Sequence, residues 1–434
     1  MKKIVIIGAG SGFGGRLSKD ILSHKALQDY TIALCDLNFE RLNETHKYVQ
    51  KLIDDYKLPA KVISSIDRCD LLEDAEFVMT AIAVGGAYAG YPYIHDVMIP
   101  KKYGIDQAVA DTCSVGAIFR FFRVAAATDA IFRDIERLCP KALVLNHTNP
   151  MAMLTQYCSK YTTVKNVGLC HGIKHSISEI ATYMGLEKEK FTYKVAGINH
   201  MAWFLKMNYM GKDIYPEFKK MCAEKQDGGN VDFVPYERTR IELMQNFGCY
   251  PTEAAGHDSE YLPYFRKDAE TMKEYMLSTN NPSEIPETSQ TWLKHGGEKN
   301  NEESLVSSDE YTGYIVNSIV TDVPFAFNGN VINDGLIDNL PCGACVEVKC
   351  ISDHDGVTPC HFGALPIELA ALNSSNISVQ QMAVEAFAKK DKELAFRAVA
   401  LDPNVAAKLT LPQIRQMFDE MWVAENQWLR WFEN

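Results

Sequence analysis

Through the first half of the 434-residue chain, short apolar runs alternate with longer amphipathic stretches. Lys3 to Ile7, Tyr30 to Cys35, Phe77 to Ile82, Ala108 to Ala110 and Leu143 to Leu145 read as buried strands, since short runs rich in β-branched residues suit a sheet interior. Arg16 to Leu27, Phe39 to Tyr56 and Val115 to Leu138 carry the spacing of helices with one apolar face. This alternation predicts a parallel, doubly wound sheet of the Rossmann type. Past about residue 195 the pattern becomes mixed. Val323-Pro-Phe-Ala-Phe327, Asn328-Gly329 and Val331-Ile332 predict a hairpin closed by a type I′ turn. Lys225 to Val234 and Thr279 to Ser289 predict surface loops, and Val379 to Phe387, Glu393 to Ala400 and Pro412 to Trp431 predict helices. The expected class is α/β, with a Rossmann-type domain over residues 1–195, an α+β domain over 196–434, and a cleft between them.

Composition narrows the partners. A net charge of -12, with no basic cluster longer than pairs such as Lys101-Lys102 and Lys389-Lys390, argues against nucleic acid and for small-molecule chemistry. The apolar run at Ile4 to Ile7 is shorter than the core of a secretory signal, and nothing approaches a membrane span. A soluble, cytoplasmic protein is expected, and the twelve cysteines read as thiols rather than disulfides. The apolar C-terminal stretches with Trp422, Trp428 and Trp431 suit a subunit interface.

Candidate chemistry begins at Gly8-x-Gly10-Ser11-Gly12, which follows a strand and precedes a helix. Glycines there let the backbone approach a pyrophosphate at the helix N-terminus. The third glycine of the usual fingerprint is replaced by Phe13, and only Gly10-x-Gly12-x-x-Gly15 restores the spacing. Asp36, ending the second strand, is the expected ribose acceptor and favours NAD over NADP, although it lies 28 residues from Gly8 against the usual separation of about 20. Cys170 and His200 offer a thiolate and an imidazole to a borderline divalent ion, leaving positions for substrate hydroxyls. A buried, inert thiol is the competing reading of Cys170. Cys342-x-x-Cys345 with Cys350 reads as core packing. Asp111, after Ala108-Val-Ala110, and Asn149, after Leu143-Val-Leu145, are expected beyond strand carboxyl ends, where open α/β sheets bind ligands. Tyr261 and Tyr264, in Glu260-Tyr-Leu-Pro-Tyr264, read from the residues alone as tyrosines packing a core with the hydroxyl outward.

Several motifs occur together in order: Gly8-Ala-Gly10-Ser11, Ala110-Asp111-Thr112, Asn149-Pro150-Met151, Cys170-His171-Gly172, Gly197-Ile-Asn-His200 and Gly329-Asn330-Val-x-Asn333-Asp334-Gly335. This set resembles the NAD-dependent family 4 glycoside hydrolases from end to end. Asn333 to Pro341 and Cys345-Val-Glu-Val348 look closest to the α-galactosidase branch. The resemblance implies a lactate/malate dehydrogenase-like architecture and a hydrolase that works by redox and elimination rather than by two carboxylates. NAD+ would oxidise C3 of the sugar, a base would remove the C2 proton, the aglycone would leave by β-elimination, and water addition at C1 with re-reduction would close the cycle. The implied metal is Mn2+, held by Cys170 and His200. Asp111 would be the acid toward the leaving oxygen, Tyr261 the C2 base, and Asn149, His171 and His257 contacts to sugar hydroxyls. Relatives are homodimers or homotetramers.

Two departures matter. Cys113-Ser-Val-Gly-Ala-Ile-Phe-Arg120 replaces a glycine-rich turn, and Gly172 stands where the α-galactosidase branch usually has serine. A galacturonide, glucuronide or glucoside therefore remains open beside a galactoside. Two further classes stay open: an NAD-dependent 2-hydroxy-acid dehydrogenase, and a non-catalytic NAD-binding sensor.

Overall fold

The computed structural model describes residues 2–85, 92–226, 234–281 and 304–433. Strands β1 (Lys3–Ile7), β2 (Thr31–Cys35), β3 (Lys61–Ser65), β4 (Phe77–Thr80), β5 (Leu143–Asn146) and β6 (Lys165–Gly168) are all parallel, in the order 3-2-1-4-5-6. Period-two alternation explains why two layers of helices are needed. Ile4 and Ile6 point into a core shared with Leu17 and Ile21 of helix Gly12–Ser23 and with Ile315 of helix Thr312–Thr321. Val5 and Ile7 point the other way, toward Ile131, Phe132 and Ile135 of helix Ser114–Leu138. This is the doubly wound sheet that the sequence predicts.

A second set of strands extends the same sheet: β7 (Phe191–Ile198), β8 (Met201–Tyr209), β9 (Lys212–Asp213), β10 (Tyr250–Pro251), β11 (Phe325–Ile332), β12 (Cys345–Asp353) and β13 (Gly356–Pro359). Beyond β6 the order is β11, β12, β7, β8, β10, every neighbour antiparallel. β11 meets β6 only at Asn330 and Gly168, and β12 meets β7 only at Glu347 and Gly197. Such minimal overlap staggers the second set past the carboxyl ends of the first. Residue 195 lies within β7, so the sheet runs unbroken through the point where the sequence suggests a division. A separate core joins helix Ser114–Leu138 to helices Ile367–Lys389, Lys392–Ala400 and Leu411–Ala424.

Several local expectations are corrected. Residues 108–110 form no strand: Ala110 has φ 59°, and the Val109 and Ala110 N–H groups both donate to Oε1 of Glu260 at 3.0 Å instead of to a sheet neighbour. Asn328-Gly329 is not a turn, because both residues lie inside β11, paired with Lys349 and Val348. The last predicted helix stops at Ala424, and two short 3₁₀ turns follow. The expected loops at 225–234 and 279–289 fall largely outside the described residues. No described helix is long and apolar enough to cross a membrane.

Two buried polar anchors give testable consequences. Arg123 is enclosed with Asp96 and Glu425, reaching Asp96 Oδ1 at 2.9 Å and Glu425 Oε2 at 3.0 Å. Arg123→Met should leave two buried carboxylates uncompensated and cost about 3–5 kcal/mol in urea unfolding. Glu260→Ala should cost about 2–4 kcal/mol by stranding two N–H donors. It should also speed amide exchange at Val109 and Ala110 before other core amides.

Candidate active site

The glycine turn follows directly from β1. Gly8 has φ 88°, and a Cβ there would lie 2.2 Å from the Ala81 carbonyl oxygen. The Gly8 and Ala9 N–H groups donate to the Cys35 carbonyl at 2.9 and 3.0 Å, which ties the turn to β2. Asp36 braces the loop, accepting from Gly10 N–H and Asn38 N–H at 2.8 Å each. A Cβ on Gly14 would sit 1.9 Å from the Ala9 carbonyl oxygen, so Gly14 provides the close helix-to-strand contact that the sequence pattern sought at position 13 or 15. Phe13 instead packs on His147, with ring centroids 5.3 Å apart. Ser11 caps helix Gly12–Ser23, yet its buried Oγ finds no partner among the described residues. A helix N-terminus with an unused hydroxyl and a close glycine approach fits a dinucleotide diphosphate.

Cys170 lies two residues past β6, and His200 lies in the two-residue turn joining β7 to β8. His200 has φ 63°, a left-handed conformation that costs a non-glycine residue about 1–2 kcal/mol. Glu253, two residues past β10, completes a cluster whose ligand atoms all lie within 4.8 Å of one another. Its Oε2 is 3.6 Å from His200 Nε2 and 3.9 Å from the Cys170 sulfur. Burial pushes the Cys170 thiol well up, and the carboxylates of Glu253, Glu347 and Glu310 push it further. Burial likewise lowers the pKa of His200. Burial also opposes ionisation of Glu253, but His200, His257 and the Ala254 N–H outweigh it and keep it charged. Thiol, imidazole and carboxylate converge where a thiolate needs a neighbouring cation, so these residues fit a divalent metal.

Asp111 is buried beside this cluster. It accepts from Asn149 Nδ2 at 3.0 Å and from the Thr112 hydroxyl at 2.8 Å, and His257 Nε2 lies 4.0 Å away. Burial works to raise its pKa, but His257, Arg120, His200 and Thr112 outweigh burial and hold it at about 2. The expected acid therefore rests as a carboxylate. His257 links the groups, its ring meeting His200 edge-on at 4.9 Å between centroids.

Tyr261 is fully enclosed, and its hydroxyl donates to the Asn199 carbonyl at 2.9 Å, one residue before His200. Burial, then Cys113, Asp111, Glu260 and Glu253, push its phenol well above the ordinary value. His171 stands apart from Asp111 and reaches Glu310 at 3.3 Å through Nδ1, a contact that raises its pKa. Cys345 and Cys350 are buried on β12 and Cys342 is exposed, and among the described residues they belong to no metal-ligating cluster. Sequence reasoning missed Glu253 and Glu310. Neither sits in a motif, and only the fold brings them to Cys170 and His171.

Residues 3–186 match the model "Family 4 glycosyl hydrolase", and residues 195–405 match the C-terminal domain of the same family. The chain is 40% identical to an alpha-galactosidase of Bacillus subtilis, covering 99% of each protein. It is 34% identical to an alpha-galactosidase of Rhizobium meliloti, covering 98% of this chain and 89% of that one. In fold it resembles the 6-phospho-beta glucosidase of Thermotoga maritima solved with manganese, NAD+ and glucose-6-phosphate, with a TM-score of 0.80, 20% identity, and coverage of 98% and 99%. With the glycine turn and the Cys170, His200 and Asp111 constellation arranged along one sheet, these full-length matches show that the chain belongs to family 4 of the glycosyl hydrolases.

Proposed function

We propose that the protein hydrolyses α-galactosides, with NAD+ held at the glycine turn and Mn2+ held by Cys170 and His200. The observation that carries this reading is the convergence of Cys170, His200 and Glu253 beside Asp111 and Tyr261, on the same sheet as a glycine turn and a helix N-terminus whose Ser11 hydroxyl has no partner among the described residues. The 40% identity to an alpha-galactosidase supports the choice of sugar. Bound at the glycine turn, NAD+ would supply a hydride acceptor, and Mn2+ held by Cys170 and His200 would supply Lewis acidity.

The chain's own residues then divide the remaining work. Asn149 and His171 bind sugar hydroxyls and orient the ring. Asp111 supplies the proton for the leaving oxygen, with the His257 imidazole 4.0 Å from its carboxylate. Tyr261 is the base at C2. Burial and neighbouring carboxylates oppose its ionisation, and only positive charge at the adjoining cluster can offset them. A dehydrogenase would form NADH in net amounts and a sensor would turn nothing over, and neither uses this set of groups.

Free cysteines throughout support a reducing, cytoplasmic setting.

In D2O, with Mn2+, catalytic NAD+ and a thiol reductant, cleavage of an α-galactoside should place deuterium at C2 of the released sugar, read by NMR. Cleavage without C2 exchange would refute the elimination route. A panel of α-galactoside, α-galacturonide, α-glucuronide and α-glucoside should show the highest kcat/KM for the galactoside, and preference for a uronide would overturn the assignment of the sugar.

A further inference from the structure

We propose that Glu253 is a third protein ligand of the divalent cation, and that residue 172 is glycine because a side chain there would take the place of the Glu253 carboxylate. The inference rests on the reading that a cation binds at Cys170 and His200. It adds a residue outside every motif of the sequence.

Three observations carry it. First, Glu253 Oε2 faces both other donors, at 3.6 Å from His200 Nε2 and 3.9 Å from the Cys170 sulfur, and its side chain is only 14% exposed. Second, the carboxylate is aimed by its surroundings. Oε1 accepts from Ala254 N–H at 3.1 Å, which turns Oε2 inward. Thr252, just before it, donates its N–H to Ala202 of β8 at 3.0 Å and accepts from the Ser176 hydroxyl at 2.8 Å, so the backbone is fixed on both sides. Third, a Cβ on Gly172 would lie 2.3 Å from Oε2, well inside contact distance. Gly172 thus leaves room for the carboxylate while its N–H donates to the Cys170 sulfur at 3.4 Å.

The donor types agree with the geometry, since a sulfur, a carboxylate oxygen and an imidazole nitrogen are ligands that a borderline divalent ion accepts. The cation would be retained between turnovers, before any sugar hydroxyl arrives. If Glu253 instead served the sugar, its loss would affect substrate binding and leave the free enzyme's metal affinity unchanged.

The test measures Mn2+ binding to the full-length, reduced, metal-stripped enzyme without substrate, by electron paramagnetic resonance or calorimetry. Glu253→Gln keeps the shape and removes the charge, and should weaken Mn2+ binding by about tenfold or more, the range reached when even an outer partner of a metal site is lost. Gly172→Ala should weaken it similarly without touching Glu253, and the double variant should be little worse than the weaker-binding single, because both act on one contact. Thermal unfolding of the metal-free forms verifies that the variants are folded. Cys170→Ser serves as the reference. If it weakens binding while Glu253→Gln and Gly172→Ala do not, the Glu253 assignment is wrong, and a raised KM in Glu253→Gln would then assign the carboxylate to the sugar. If Cys170→Ser also has no effect, the cation reading itself fails.

Discussion

The sheet narrows to a single registered pair at two junctions, Asn330 with Gly168 where the antiparallel strands join the parallel ones and Glu347 with Gly197 between β12 and β7, and the site depends on those junctions. Each carries a glycine for lack of room. A Cβ on Gly168 would meet the Met151 sulfur at 2.4 Å, and one on Gly197 would meet the Ala202 Cα at 2.5 Å. A longer overlap would slide the antiparallel strands alongside the parallel ones and carry His200 away from Cys170. With the overlap held to one pair, Gly8, Asp36, Asn149 and Cys170 all follow the carboxyl ends of parallel strands, and the turn that bears His200 meets them at Cys170 through Glu253.

Electrostatics makes this gap demanding to fold. Glu253, Glu347 and Glu310 all bear on the Cys170 thiol, and burial, then Glu253, pushes the Glu347 carboxyl up to about 8. Two buried arginines of the region are committed elsewhere, Arg240 to Glu237 and Glu179 and Arg266 to Asp106. Negative potential concentrated at these donors favours a cation there. The left-handed backbone at His200 adds to the cost, which fits a residue kept for its imidazole rather than for stability.

The parallel half was legible because its strands are continuous apolar runs and its helices keep a clear period, as in β1 and helix Phe39–Asp55. Elsewhere local signals competed with tertiary ones. Asn328-Gly329 has the composition of a turn but is claimed by pairing with β12, and Ala108-Val-Ala110 reads as a strand but gives its donors to a glutamate about 150 positions later. The Cys170 and His200 pair could be named from motifs. Glu253 could not, since it joins Cys170 from 83 residues away and has no spacing of its own.

The chain order of the sheet also dictates when the site can exist. β1 to β6 are complete by Gly168, whereas the pairing partner of that glycine, Asn330, arrives 162 residues later. The β7–β8 hairpin can close locally, but it has no place beside β6 until β11 and β12 have been made and inserted between them. Long-range pairings of this kind form late, because loop closure must be paid before they return any contact energy. A nascent chain would thus acquire its nucleotide turn well before its thiol and imidazole meet, and the meeting of those two ligands marks the completed fold.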